Sequence, residues 1–199
     1  QEYRVTFVVV TGVLALIVAS PALSRLLVYP RTEFFTELWI LDADHRAEDY
    51  PFNITRNYSY SVFLGVGNRL GYCGYYLVEV KFRNLTQSGA DSFNRTASSL
   101  PSLFNVTAFV ADEAVWELPL QFSFDYVWDE GRSKVDFLGL RLNDVWLNMT
   151  DYTVSWDPDK REFRGFLFFE LWLYNASSNV FQYHGRFVGL RLNMTAKTL

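Results

Sequence analysis

Eight asparagines each open an Asn-X-Ser/Thr triplet: Asn53, Asn57, Asn84, Asn94, Asn105, Asn148, Asn175 and Asn193. Each triplet is an acceptor for an N-linked glycan. The chain holds 11 Asn and 26 Ser plus Thr in 199 residues. Random placement would give about 1.4 such triplets. Eight is a large excess, and it implies an extracytoplasmic surface coated by bulky, solubilising sugar. Asn105 and Asn193 fall in strand-like stretches, so their side chains must face solvent to be modified.

Other residue types that do chemistry are sparse. His45, His184 and Cys73 are the only imidazoles and the only thiol, so no tetrahedral zinc set can be composed from them and no intrachain disulfide is possible. Asp42, Asp44, Glu48 and Asp49 offer carboxylate oxygens for Ca²⁺ but lack the spacing of a known calcium loop, and they read as a solvated acidic loop. Glu37 and Glu170 are candidates for a glycosidase-type carboxylate pair, yet glutamates alternating along aromatic strands read as solvent-facing residues. No Gly-X-Ser-X-Gly elbow, His-Glu-X-X-His or phosphate-binding Gly-Lys-Ser/Thr occurs. Gly65-Val66-Gly67 lies between strands and sets no phosphate on a helix N-terminus. The expectation is a protein without enzymatic activity, metal or cofactor apart from its glycans. Net charge is −4, which argues against nucleic acid as a partner.

The elements that carry these residues divide at Pro30. From Val5 to Ser24 no side chain is charged. As an α-helix that run is about 30 Å long, close to the hydrocarbon thickness of a bilayer. It is apolar all round, so its partners are lipid or other helices. Thr6, Thr11, Gly12, Ala15, Ala19 and Ser20 are small enough to let helices approach closely, and Thr11, Gly12, Ala15 and Ala19 are taken as packing positions. Pro21 should bend or interrupt the last turns. Residues 1–30 form a hydrophobic helix, a membrane anchor or filament core, and residues 31–199 a glycosylated extracellular head.

The head reads as strands at 34–41, 59–66, 75–83, 104–110, 114–128, 134–147, 152–156, 163–174 and 180–194, with the 134–147 run either one long strand or a bulged pair. Gly65, Gly67, Asn68 and Gly71 read as a turn. Pro119 suggests an edge or bulge. The long polar segment 84–103 is either functional or mobile. Eight or nine strands at this spacing predict an antiparallel, immunoglobulin-like β-sandwich on a single long N-terminal helix. Two internal echoes stand out: FFTELW (34–39) with FFELW (168–172), and FLGLRLN (137–143) with FVGLRLN (187–193). Similar strands in similar sheet positions account for them, and a duplicated hairpin is the sharper reading.

Four stretches together carry a family resemblance: FFTELWILDADHRAEDYPFNIT (34–55), VGNRLGYCGYYLVEVKFRN (66–84), DSFNRTASSLPSLFNVTAFVADEAVWELPL (91–120) and FFELWLYNASSNVFQYHGRFVGLRLN (168–193). They resemble an archaeal membrane and surface protein family with N-terminal transmembrane helices and a β-rich extracytoplasmic domain. That resemblance implies an archaeal surface protein and supplies no activity and no site residues. This chain departs from multi-helix members in having a single apolar segment. Its layout is also similar to archaeal type IV pilins, whose apolar helices pack in a filament core beneath β-sandwich heads. Gln1 suits the mature end of a leader-cleaved subunit, whereas Glu2 and Arg4 would need partners in a dry core. Two structural roles follow as expectations. One is a pilin-like filament subunit that binds copies of itself through the helix. The other is a single-pass membrane-anchored adhesion or scaffold protein. Either places the head at the cell surface, with the helix in the membrane before or instead of assembly.

Overall fold

The structure, a computed structural model, describes residues 2–26 and 33–195; within the helix, side chains are described at 3–18 and at Ser20. The chain forms two compact units, Gln1–Phe34 and Phe35–Leu199. In the first, α1 (Glu2–Leu26) continues past Pro21, so the proline does not end it. Every described side chain from Tyr3 to Val18 is exposed. Among the described residues no helix is long and apolar enough to cross a membrane. Gln1 and the Tyr29–Arg31 flank lie outside the described residues, as do the side chains of Glu2, Ala19 and Arg25.

The second unit is mainly β, with eleven strands among the described residues: β1 (Phe35–Leu41), β2 (Asn53–Thr55), β3 (Tyr60–Arg69), β4 (Gly74–Arg83), β5 (Phe104–Val110), β6 (Val115–Asp129), β7 (Lys134–Leu142), β8 (Val145–Asn148), β9 (Thr153–Asp157), β10 (Glu162–Asn175) and β11 (Val180–Thr195). One antiparallel sheet runs β1-β3-β6-β7, with β8 and β9 both on β7. The other runs β5-β4-β10-β11-β2, antiparallel except for the short parallel pair β11–β2. Two residue pairs between β9 and β10, Asp157 with Glu162 and Trp156 with Phe163, join the sheets at a corner.

Alternation sets the faces. Tyr76, Val78, Val80 and Phe82 of β4 and Leu167, Phe169 and Leu171 of β10 point inward, as do Leu120, Phe122, Phe124 and Tyr126 of β6 from the opposite sheet. Phe82 meets Phe137 edge-on at 4.9 Å and Phe124 at 5.8 Å, so the aromatic richness of the sequence is spent on filling the space between the sheets.

Two local readings change, those of the 65–71 turn and of the 134–147 run, and the edge expected at Pro119 is present. Gly65 and Gly67 are not in a turn; they lie within β3, paired with Trp39 and Glu37 of β1. A Cβ on Gly65 would sit 2.2 Å from Trp39 Cε2, so this glycine serves a ring lying across the strand. The turn comes later, at Gly71, whose φ of 81° is left-handed. The 134–147 run is two strands, β7 and β8, folded as a hairpin about Asn143 and Asp144, both at positive φ. β2 has three residues, too few to show a period in the sequence. Pro119 sits where β6 has run beyond its pairing with β7, which starts at Phe122 and Leu142. The strand is an edge on that side, and there Asn143 Nδ2 donates to the Pro119 carbonyl at 3.0 Å.

Candidate functional site

The segment 84–103, which carries two acceptor triplets, is pinned by charge. On the outward face of the β4–β10 pair, Lys81 Nζ lies 2.8 Å from Glu170 Oε2 and 2.9 Å from Glu79 Oε2. The Ser98 amide donates to the other Glu170 oxygen at 2.9 Å, and Lys81 donates to the Ser98 carbonyl at 3.3 Å. Lys81 is 3% exposed and Glu170 is fully buried. Burial opposes the charge on Lys81, but the two carboxylates outweigh it and hold the amine above its ordinary range. The segment is thus a cover whose underside is an ion pair, bonded at both its N–H and its C=O. Next to it burial pushes the Tyr183 phenol up to about 12.

The acceptor asparagines separate by environment. Asn53, Asn57, Asn94, Asn105 and Asn148 are exposed, and Asn84, Asn175 and Asn193 are half-buried. Asn105 lies on β5, an outer strand of its sheet, and faces solvent as modification requires. Asn148 ends β8, and its Oδ1 accepts the Thr150 amide at 3.1 Å. Asn94 sits in a turn closed by Asp91, whose carboxylate takes its Nδ2 at 2.6 Å; these bonds, led by the Asn94 amide, lower the Asp91 pKa. Asn175 Nδ2 reaches Gln182 at 3.2 Å across a hairpin. Asn193 is built into the fold: Oδ1 accepts the Phe163 amide at 3.0 Å and Nδ2 donates to Asn53 Oδ1 at 2.9 Å. β2 and β11 bring these two acceptors side by side, a crowding that their separation of 140 residues hides.

Of the helix positions, Thr11 donates its hydroxyl to the Phe7 carbonyl at 2.7 Å, a bond within the helix that satisfies that hydroxyl. A Cβ on Gly12 would meet nothing within 4 Å. Ala15 is exposed, and the Ala19 side chain lies outside the described residues.

The two candidate catalytic carboxylates do not meet. Glu37 belongs to the β1 sheet, 4.0 Å from Arg69, and Glu170 is the buried partner of Lys81 in the other. Asp42 organises its own loop, its Oδ1 accepting the amides of Asp44 and Arg46 at 2.9 and 2.7 Å. Among the described residues no group of His, Cys, Asp and Glu is placed to hold a metal ion. His45 stacks on Phe63 at 3.7 Å and bonds Glu117.

His184 closes a largely buried relay whose members are too far apart in the chain to be linked by any local pattern. Tyr76 donates to Asn68 Oδ1 at 3.0 Å, so Thr36 gives its proton to Tyr76 at 3.1 Å, and His184 Nε2 must donate to Thr36 at 3.0 Å. That assigns the Nε2–H tautomer. Burial, then Arg186 and Arg95, lower the His184 pKa, which keeps the ring neutral.

No protein-family model and no curated protein sequence matches this chain. Among solved structures it is similar to a β-glucosidase from Listeria innocua bound to glucose, at 9% identity and a TM-score of 0.38, over 86% of this chain and 17% of that one. It is also similar to the CARDB domain of the PF1109 protein from Pyrococcus furiosus in complex with di-metal ions (9% identity, TM-score 0.35, 84% of this chain and 95% of that one). A third is a PapD-like domain of human CEP192 (9% identity, TM-score 0.32, 87% and 94%). The chain thus spans about a sixth of the β-glucosidase it matches, and likenesses this remote carry no argument about activity or ligands.

Proposed function

We propose that this protein is a non-enzymatic cell-surface subunit whose α1 packs against the α1 helices of other copies and whose β unit is displayed outside as a glycan-coated, immunoglobulin-like head. The observation that carries the reading is the helix surface. Val5, Phe7, Val8, Val9, Val10, Val13, Leu14, Leu16, Ile17 and Val18 are all exposed, and burying one such side chain stabilises an assembly by about 1.5–3 kcal/mol. A surface of this kind calls for a cover. The stretch Thr11–Gly12–Ala15 favours another helix as that cover, because the Thr11 hydroxyl is already bonded and Gly12 leaves backbone open to close approach. The five exposed acceptor asparagines support a sugar-coated head, and the resemblance to an archaeal surface family and to type IV pilins gives the same layout.

The test is Gly12→Leu together with Ala15→Phe. Both changes keep the helix apolar and roughen its packing face, so the reading expects assembly to be lost while partition into the membrane fraction is unchanged. Fibres that persist in the double variant would overturn a helix-packed core. A wild-type protein found only in detergent extracts, with no fibres, would favour the single-pass anchored adhesion or scaffold protein.

A further inference from the structure

Trp156, on β9 beside the corner that joins the sheets, is 41% exposed and forms a wall shared by two clefts. One, of about 370 Å³, is completed by Trp128, Phe163, Glu130 and Ser133. The other, of about 480 Å³, includes Lys134, Thr153, Ser155 and Asn84. The indole is held in place. Phe163, 3% exposed, lies 4.9 Å from Trp156 and 4.1 Å edge-on from Trp128, and the Trp156 amide donates to the Ser133 carbonyl at 3.0 Å. A large, rigid aromatic face between two clefts is an arrangement that folding alone does not require.

The polar groups around it select the ligand class. An apolar compound would strip water from Glu130 and Lys134 and return no hydrogen bond. Glu130 charges the first cleft, whereas Lys134 and the Asp157–Arg164 pair charge the second, so no single charge suits a ligand that spans the indole. A neutral polyhydroxyl chain of two rings suits both: a C–H face lies on the indole, while its hydroxyls donate to Glu130 in the first cleft and accept from Lys134 in the second. We propose that Trp156 and its two clefts form a carbohydrate-binding site. Asn84, an acceptor asparagine, lines the second cleft, so the sugar comes either from the glycan on Asn84 or from a glycan outside this chain. The Asn84 source rests on the glycosylated-head reading; the external source does not.

The experiment uses the full chain in detergent, made without N-glycans, titrated with N,N′-diacetylchitobiose and separately with mannobiose, and read at the Trp156 indole N–H by NMR. The expected result is a saturating shift at Trp156 with a millimolar-range Kd for at least one disaccharide. Binding should weaken at least tenfold in Trp156→Ala and a few-fold in Glu130→Gln, and should be unchanged in Trp146→Ala, an exposed tryptophan outside both clefts. Should Trp156→Ala fail to fold, Ser155→Ala and Glu130→Gln at exposed positions carry the comparison. The glycosylated protein then separates the sources. If the Asn84 glycan occupies the site, Trp156 is already shifted and responds to added sugar only after Asn84→Gln. If the source is external, glycosylated and bare proteins titrate alike. An unmodified Asn84 in glycopeptide analysis removes the first source and leaves the titration standing. A Trp156 resonance that moves with neither disaccharide at about ten times the millimolar range, and does not differ between glycosylated and bare protein, overturns the proposal.

Discussion

Glu170→Ala tests whether the buried charge cluster holds the 84–103 segment in place. The substitution removes one of the two carboxylates on Lys81 and leaves the Ser98 amide without its acceptor. Deleting one partner of a buried ion pair costs about 3–5 kcal/mol. Glu79 remains 2.9 Å from Lys81 and its side chain is 19% exposed, so part of the charge stays compensated and the expected loss is about 3 kcal/mol. For a chain of this size that lowers Tm by roughly 6–12 °C. Glu170→Gln keeps an oxygen for Ser98 and should lie between wild type and alanine. Lys81→Met combined with Glu170→Leu should cost less than Lys81→Met alone, because only Glu79, which reaches solvent, is then left without its cation. Thermal unfolding reads the size, and hydrogen exchange over 84–103 reads the place. Exchange in that segment should rise well before the β6 core in Glu170→Ala. A Tm within about 2 °C of wild type, or unchanged protection in the segment, would refute the reasoning.

Tyr126→Phe removes a hydroxyl that donates to the carbonyls of Ile54 and Thr195 at 2.7 and 2.8 Å; a loss of about 1–2 kcal/mol in denaturant unfolding is expected. Burial raises the Tyr126 pKa to about 12, so its contribution is fully present below pH 10 and is lost as pH rises toward 12, a decline that should be absent in the Phe variant. His184 has its pKa lowered from 6.5. Its share of stability is therefore complete above that value and falls as pH drops through the folded-state pKa, and His184→Gln should flatten this part of the Tm–pH curve. Glycopeptide mass spectrometry should find sugar on Asn57, Asn105 and Asn148 and none on Asn193, whose amide is held between Phe163 and Asn53.

Much of the fold can be read from alternation, since Val78, Val80 and Phe82 or Leu167, Phe169 and Leu171 mark an inward face without reference to anything distant. Misreadings arise where a residue serves a neighbour remote in sequence. Gly65 looks like turn chemistry, yet it is small because Trp39 lies over it. Glu170 looks like a solvent-facing glutamate, yet Lys81 and the Ser98 amide, 72 residues away, make it a buried anchor. The second echo, in contrast, has a structural meaning. In both FLGLRLN and FVGLRLN the two leucines after glycine are buried, the arginine points out, and the asparagine accepts a backbone amide from a neighbouring strand, Gln121 in one and Phe163 in the other. Similar positions at the ends of strands in the two sheets are enough to produce that likeness. The pairing of Asn53 with Asn193 and the two clefts at Trp156 depend on which strands become neighbours, and no local pattern encodes that.

The account stands or falls on what covers α1. Cells producing this protein should be sheared, the supernatant pelleted, and the pellet imaged by electron microscopy with the protein identified by mass spectrometry. The account predicts regular fibres containing this chain, with the helices at the axis and the β units outside. Recovery of the protein solely from the detergent-soluble membrane fraction, with no fibres in the pellet, would contradict it.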